Sequence, residues 1–224
     1  MNVVITGTSR GIGYELVKLF LQNKQNNVLA ISRTKSKLKV LESEGAKVKS
    51  FNLSDDDYTP LTEELKKMGK IDILINNAGA LINKPFLSLT DQDIRYLYEV
   101  NVFSVFKLIR NTLPMFNDKA HIVNISSIGG VQGSVKFPGL SAYSSSKGAL
   151  TILTECLAEE YKNTSLSFNA LALGAVKTEM LKEAFPEYEP NITAQQMAKY
   201  IHDFAVDSGM LFNGKVVSVA NSTP

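Results

Sequence analysis

The chain has 224 residues, of which 44% are hydrophobic and 21% are charged, as is usual for a globular protein with one sizeable core. The net charge of +2 gives no reason to expect nucleic acid or a membrane surface as a partner. The sequence has no signal-peptide pattern, membrane span or metal-ligand cluster, and its one cysteine, Cys156, cannot form an intrachain disulfide, so we expect a cytoplasmic protein without a metal.

Short apolar runs alternate with helical patterns along the chain. Strands are predicted at 2–6, 27–32, 46–51, 71–76, 120–126, 165–172 and 214–220. Helices are predicted near 12–23, 35–44, 56–68, 91–116, 143–162 and 194–208. Several strands are apolar almost throughout, which suits parallel strands covered on both faces. The alternation predicts an α/β fold, a Rossmann-like doubly wound parallel sheet of about seven strands with helices on both faces, in a single domain spanning 1–224.

A glycine-rich turn joins the first predicted strand to the first predicted helix. The sequence "TGTSRGIG" at 6–13 contains Gly7, Gly11 and Gly13. Glycine permits positive φ and close backbone approach, and the free N–H groups of a helix start favour a phosphate. The spacing differs from G-x-G-x-x-G, and a tight turn without a ligand is the alternative. Its position at the first strand–helix junction favours dinucleotide binding.

The turn after the second strand indicates which dinucleotide is bound. An NAD site usually has an acidic residue about 20 positions after the glycines, but residues 16–41 contain no Asp or Glu. Arg33 begins that turn instead, with Lys35 and Lys37 after it. A guanidinium suits a 2′-phosphate, and Arg10 in the glycine turn is placed to reach the same group. We therefore predict NADP(H) in preference to NAD(H), although a solvated helix face also explains the lysines.

Six motifs in order now give the chain a resemblance to the short-chain dehydrogenase/reductase family over nearly its whole length. They are "TGTSRGIG" (6–13), "NNAG" (76–79), Asn101, "NISS" (124–127), Tyr143 with Lys147, and "LGAVKT" (173–178). The resemblance implies an enzyme that reduces a ketone or aldehyde to an alcohol by hydride transfer from NADP(H). A non-catalytic dinucleotide-sensing regulator is the alternative, although such a protein would usually lack the tyrosine or the lysine, and both are present.

The resemblance also implies a role for each catalytic candidate. Tyr143 and Lys147 are four residues apart and share one helix face. Tyr143 is the expected acid/base, and the charge of Lys147 is expected to lower the tyrosine pKa while its side chain bonds the nicotinamide ribose. Ser127 is expected to hold the substrate oxygen, with Ser126 as a competing choice, and Asn101 to position a water.

The family pattern implies a set of cofactor-binding residues. They are Gly7, Ser9, Arg10, Gly11, Ile12, Gly13, Arg33, Asn52, Leu53, Asn77, Ala78, Gly79, Tyr143, Lys147, Val176 and Thr178. The backbone near Val176 and the hydroxyl of Thr178 are expected to hold the nicotinamide carboxamide. Two positions depart from the pattern: Asn52 stands where an aspartate near adenine is common, and Leu173 where proline is usual.

Two segments are expected to shape the substrate pocket. The spacing of 16 between Ser127 and Tyr143 is longer than the family usually shows, and the extra length falls in 129–141. The stretch 173–192 is the least regular part of the chain and is predicted to be a mobile loop or lid, with a short substrate loop at 179–192. We expect a small-molecule carbonyl or alcohol substrate, which the sequence does not name.

Two helices predict an oligomer. The segments 91–116 and 143–162 resemble helices that pair between subunits in the family, and the first is more apolar than one buried stripe requires. We therefore predict a homodimer or homotetramer. The alternative is that the first helix is buried within one domain, but this explains the apolar residues on only one of its faces.

Overall fold

The computed structural model describes residues 1–34 and 38–220, so Lys35 and Lys37 lie outside the described residues. The strands are Asn2–Thr6 (β1), Asn27–Ser32 (β2), Lys47–Ser50 (β3), Ile71–Asn76 (β4), Phe116–Ser127 (β5), Ser167–Leu173 (β6) and Val216–Val219 (β7). The helices of the described residues are Gly11–Gln22 (α1), Lys39–Ser43 (α2), Thr59–Met68 (α3), Asp91–Tyr98 (α4), Ser104–Thr112 (α5), Ser141–Glu160 (α6), Glu179–Ala184 (α7) and Ala194–Asp207 (α8).

The strands form one parallel sheet in the order β3-β2-β1-β4-β5-β6-β7. The chain builds outward from β1 to β3 and then returns to place β4 on the other side of β1. In such sheets the crevice at the carboxyl ends of the strands, where the order reverses, is where ligands bind. The predicted Rossmann-like doubly wound fold is confirmed.

Apolar side chains cover both faces of the sheet. Val3 and Ile5 of β1 pack on one face with α1 and α8, whereas Val4 packs on the other face with α3, α5 and α6. All three side chains are fully buried. Burial on both faces explains why the strand sequences are apolar throughout and do not alternate.

The helix predicted over 91–116 is broken into shorter pieces. A π-helical turn, Glu99–Phe103, separates α4 from α5, and a 3₁₀ turn, Leu113–Met115, precedes β5. The wide turn carries the fully buried Asn101, whose side chain bonds both the N–H and the carbonyl of Ala80. The π-helical turn is therefore explained by hydrogen bonds to another segment, which the periodicity of apolar residues does not reveal.

Further differences affect the ends of elements. A short helix, α7, lies in the stretch 173–192 that was predicted to be irregular, and the Thr178 hydroxyl caps it by accepting the N–H of Leu181 at 3.3 Å. The helix predicted from 56 begins at Thr59, because Pro60 fits the first turn of a helix. No helix of the described residues is long and apolar enough to span a membrane, and their His, Cys, Asp and Glu side chains form no group of three or more that suits a metal.

Candidate active site

The glycine turn packs tightly against the end of β4. Gly7 and Gly11 have φ values of 72° and 58°, in the left-handed region that favours glycine. A Cβ on Gly7 would lie 2.7 Å from the Cα of Ala78, and a Cβ on Gly13 would overlap the carbonyl oxygen of Gly7. The three glycines are therefore required by the backbone path from β1 into α1.

Hydrogen bonds between β1 and the segment after β4 hold this turn in place. The Asn77 side-chain amide donates to the carbonyls of Thr6 at 3.0 Å and Gly7 at 3.2 Å. The Thr6 hydroxyl accepts the N–H groups of Asn77 and Ala78. No described side chain caps the start of α1, so its first N–H groups remain for a ligand. The donors fit the diphosphate of a dinucleotide.

A cleft of about 380 Å³ lies at the carboxyl ends of the strands. It is lined by most of the predicted site residues: Gly7, Ser9, Arg10, Gly11, Ile12, Arg33, Asn52, Leu53, Asn77, Ala78, Gly79, Ser127, Tyr143, Lys147, Val176 and Thr178. Gly13 and Asn101 are buried behind this wall instead. The structure thus brings residues from distant parts of the sequence into one site, as the resemblance implies.

Asn52 lines the end of the cleft beside β2 and β3, and its side chain also bonds its own segment. Its side-chain oxygen accepts the N–H of Ser54 at 3.3 Å, and its amide donates to Asp55 at 2.8 Å. These bonds form a local turn, and the expected contact of Asn52 with adenine stays a prediction. Arg33 is exposed and lines the same end, and its contact with a 2′-phosphate stays a prediction.

Arg10 reaches across the cleft to α7. Its guanidinium forms a two-pronged ion pair with Glu183, in which the Nη2–Oε2 distance is 3.0 Å. This hydrogen bond raises the Arg10 pKa. The sequence placed Arg10 at a cofactor phosphate, whereas the structure places it on a carboxylate of the segment predicted to be a lid.

Tyr143 faces Ser127 at the other end of the cleft. Helix α6 begins two residues before Tyr143 and carries it into the cleft beside Lys147. Burial raises the Tyr143 pKa, and a hydrogen bond with Ser127 partly offsets that effect. The expected lowering of this pKa by Lys147 is therefore not what the structure gives, because burial outweighs the other influences on the phenol.

Lys147 is a buried residue in the wall of the cleft. Its Nζ donates to the carbonyl of Ile125 at 2.8 Å, and burial lowers its pKa to about 8. The Ser126 hydroxyl donates to the Lys147 backbone carbonyl at 3.0 Å, whereas the hydrogen bond of Tyr143 is to Ser127. Of the two competing serines, Ser127 is thus the one that meets Tyr143.

Asn101 lies next to the lysine but binds protein groups. Its side-chain amide donates to the carbonyl of Ala80 at 3.0 Å and to the hydroxyl of Ser146 at 2.9 Å. A Cβ on Gly79 would lie 3.4 Å from both the Asn101 oxygen and the Lys147 Nζ. The structure therefore gives Asn101 a role in positioning the wall beside Lys147, and the expected water contact stays a prediction.

Sequence reasoning missed the apolar residues of the cleft. Phe137 and Leu140 come from the long segment 129–141, and Met180 and Phe185 come from α7 and the residue after it. The sequence indicated that both segments shape the pocket, but not which side chains do so. Aromatic residues within otherwise polar loops are the signal that could have identified them.

Comparisons with known proteins agree with this site. The sequence profile described as short chain dehydrogenase matches residues 1–189. The chain is 29% identical to L-2,3-butanediol dehydrogenase of Corynebacterium glutamicum, over 94% of this chain and 98% of that protein. It is 31% identical to carbonyl reductase [NADPH] 2 of Sus scrofa, over 80% and 73% respectively. A solved structure of 4-hydroxyisoleucine dehydrogenase complexed with NADH has a TM-score of 0.87 and 26% identity, covering 99% of this chain and 97% of that one.

The sheet order, the glycine turn and the Tyr–Lys pair define a dinucleotide-dependent oxidoreductase. The chain belongs to the short-chain dehydrogenase/reductase family. As a member it acts on CH–OH groups with NAD(P), so its ligands are a nucleotide cofactor and a small-molecule substrate.

Proposed function

We propose that this enzyme is an NADP(H)-dependent reductase that converts a ketone or aldehyde to an alcohol, with Tyr143 as the acid. The observation that carries the proposal is the meeting of Tyr143, Ser127 and Lys147 at one end of the cleft. The glycine turn occupies the other side of the same cleft, so its N–H groups and Arg33 would hold the dinucleotide. When bound, a reduced nicotinamide supplies a hydride to the carbonyl carbon.

The chain's own residues handle the proton. A raised pKa keeps Tyr143 protonated near neutral pH, so its hydroxyl has a proton to give to the carbonyl oxygen. The Ser127 hydroxyl holds the same oxygen and stabilises the charge that develops there. Lys147, with a pKa of about 8, is mostly charged at pH 7 and stabilises the phenolate left on Tyr143.

The preference for NADP(H) is supported by charge at the end of the cleft beside β2. Arg33 is exposed there, and residues 16–41 contain no acidic side chain to meet a free ribose hydroxyl. The relatives include one named for NADPH and a structure complexed with NADH, so the preference rests on this chain's residues.

Turnover of the purified protein tests the reductase proposal. NADPH and NADH oxidation would be followed at saturating aldehydes, ketones and diketones, with Tyr143→Phe alongside. We expect Tyr143→Phe to lower kcat more than about 100-fold, the scale of general acid catalysis, at NADPH concentrations that saturate the variant. We also expect a lower Kd for NADPH than for NADH.

Tyr14→Phe is the matched control. Tyr14 and Lys18 repeat the four-residue spacing, but Lys18 lies over the Tyr14 ring at 5.5 Å and is exposed. We expect full activity in this variant. Turnover that survives in Tyr143→Phe would contradict the role of Tyr143, and equal Kd values for the two dinucleotides would contradict the NADP(H) preference. Tight NADPH binding without turnover on any carbonyl would favour the dinucleotide-sensing alternative.

A further inference from the structure

The reactive end of the cleft has an apolar wall. The segments after β4, β5 and β6 all contribute to it, and these are the segments that surround Tyr143. The wall residues are Leu81, Ile128, Phe137, Leu140, Met180 and Phe185. A substrate whose carbonyl oxygen meets Tyr143 and Ser127 therefore places the rest of its structure against hydrocarbon and aromatic rings.

Hydrogen bonds between backbone segments fix the position of this wall. The Lys84 N–H donates to the carbonyl of Gly139 at 3.0 Å, which joins the segment after β4 to the long 129–141 segment. The Asn83 side-chain amide donates to the carbonyl of Ala184 at 3.0 Å, which joins the same segment to the end of α7. The apolar wall is therefore pre-formed, and pre-formed apolar pockets bind apolar ligands well.

Two lysines lie on the segments that form this wall, but neither Lys84 nor Lys136 lines the cleft itself. Lys84 pairs with Asp93 at 2.7 Å, and the Nζ of Lys136 donates to the carbonyl of Val131 at 2.7 Å. Lys147 does line the cleft, but it is buried and its Nζ donates to the carbonyl of Ile125. Because ionised groups are costly to bury, a substrate carboxylate held against these apolar side chains would lose hydration that the wall does not replace.

Acidic residues on α7 also reduce the attraction of the cleft for an anionic substrate. Glu179 lines the cleft, and Glu183 on the same short helix pairs with Arg10. Arg10, which could attract an anion, is thus partly neutralised on the side of the cleft that α7 covers. With Lys182 on the same helix, these charges sum to zero, so this side of the cleft offers no excess positive charge to attract an anionic substrate.

We propose that the substrate is an uncharged carbonyl compound with an apolar group of about the size of a phenyl ring, and that Phe137 and Phe185 select that group. This inference rests on the proposed reductase function, since it uses the same cleft. It excludes oxo acids and other anionic carbonyl compounds as preferred substrates, and it assigns specificity to two residues outside the catalytic group.

Three 2-oxo probes separate charge from size. Methyl benzoylformate is a neutral aryl oxo ester, benzoylformate is the same molecule with a free carboxylate, and methyl pyruvate replaces the ring by a methyl group. We expect kcat/KM for the aryl ester to exceed that for either other probe by about 10-fold or more, the range over which apolar pockets discriminate. Equal or faster reduction of benzoylformate would overturn the proposal.

Variants of the two phenylalanines test their role. Phe137→Ala and Phe185→Ala should each lower kcat/KM for methyl benzoylformate about 10-fold and leave methyl pyruvate nearly unchanged. Phe86→Ala is the control, because that ring is 74% exposed and lies outside the cleft wall. Phe185→Arg should raise kcat/KM for benzoylformate relative to its ester. An unchanged ratio of the aryl ester to methyl pyruvate in both alanine variants would contradict selection by the two rings.

Binding of the alcohol products separates failure of this inference from failure of the reductase proposal. Titration calorimetry would compare methyl mandelate and mandelate with the protein loaded with NADP⁺. Tighter binding of methyl mandelate, with no turnover of any probe, would contradict the reductase proposal but support a site that prefers an uncharged ligand. Equal or tighter binding of mandelate, or binding of neither compound, would overturn the inference even if other carbonyls are reduced.

Discussion

The pairs Tyr14–Lys18 and Tyr143–Lys147 have the same spacing of four residues, but their lysines differ in burial. Lys18 lies over the half-buried ring of Tyr14, but its own side chain is exposed to water and lies 3.7 Å from the carboxylate of Glu15. Lys147 is buried beside Tyr143, where its charge is held by one carbonyl and the low dielectric increases its influence on neighbouring groups. The proposed proton chemistry therefore belongs to the buried pair, and the exposed lysine gives the other pair no comparable environment.

Burial of Lys147 predicts a specific dependence of stability on pH. Its pKa falls from 10.5 to about 8 on folding, which corresponds to about 3 kcal/mol of destabilisation of the folded state at pH 7. Between these two pKa values the unfolded chain binds more protons than the folded chain, so the destabilisation is relieved as pH rises. Relative to Lys147→Met, the free energy of unfolding of the wild type should rise by about 1.4 kcal/mol per pH unit between pH 8 and 10.5.

Urea unfolding of both proteins across this pH range measures the effect. Comparison with the variant cancels titrations that the two proteins share. Lys18→Met provides the control, since Lys18 is exposed, and its unfolding curves should follow the wild type at every pH. Parallel curves for the wild type and Lys147→Met would show that the buried ammonium keeps its proton.

Some residue contacts follow from the sequence and others do not. The glycines could be predicted because their requirement is local: positive φ at Gly7 and a close backbone approach at Gly13 follow from a tight strand–helix turn. The partner of Arg10 could not, because Glu183 is 173 residues away and meets it only when α7 folds over the cleft. Motifs thus predict which residues reach the cleft, and tertiary packing decides which of them are already paired.

At the level of elements, the break between α4 and α5 shows the limit of helical periodicity. The apolar pattern continues through 91–116, yet the turn Glu99–Phe103 widens so that Asn101 reaches Ala80 and Ser146. A sequence pattern reports which residues are apolar and does not report a polar side chain that bonds another segment. Pro114 was a visible signal that the helix ends before β5.

Helix α7 gives a prediction about cofactor affinity. In the proposed NADP(H) complex, Glu183 would compete with the 2′-phosphate for the Arg10 guanidinium, and its own charge would repel that phosphate. Glu183→Gln should lower the Kd for NADPH about fivefold, equivalent to about 1 kcal/mol, and change the Kd for NADH less. Fluorescence titration with each dinucleotide measures both constants.

Glu187→Gln is the control for this variant. Glu187 is an exposed acid in the same segment, and its removal changes the net charge equally. The free energy of unfolding should change by less than about 1 kcal/mol in Glu183→Gln, because the ion pair is exposed. An NADPH Kd that matches the Glu187→Gln value would show that Arg10 does not contact the 2′-phosphate.

At the scale of the whole molecule, the sheet order follows from chain order and from strands that are apolar on both sides. Parallel strands need crossover helices, and right-handed crossovers leave few ways to arrange the strands. The ends of the strands were harder to predict. Strand β5 extends back to Phe116 through polar residues because Phe116 pairs with Ile71 before a shift in register. Pairing with a neighbouring strand extends β5 beyond its own apolar run.

The molecule exposes a group of apolar side chains on the helices predicted to pair between subunits. Phe103 and Phe106, at the π-helical turn and on α5, are 48% and 51% exposed, and Ile152 on α6 is 58% exposed. Ile94 and Tyr96 on α4 are also exposed. Burial within one chain therefore leaves one face of these helices uncovered, and several large apolar side chains together are typical of an interaction surface.

This exposure predicts that the protein is a homodimer or homotetramer through these helices. Light scattering at micromolar concentration should give a mass of two or four times the 24.6 kDa of one chain. Phe106→Glu should shift the mass toward one chain, because a carboxylate at the centre of an apolar interface would be buried without a partner. Leu87→Glu is the control, since Leu87 is 97% exposed but lies outside these helices, and its mass should stay that of the wild type. A wild-type mass of a single chain would contradict the prediction and would mean that these rings stay exposed to water.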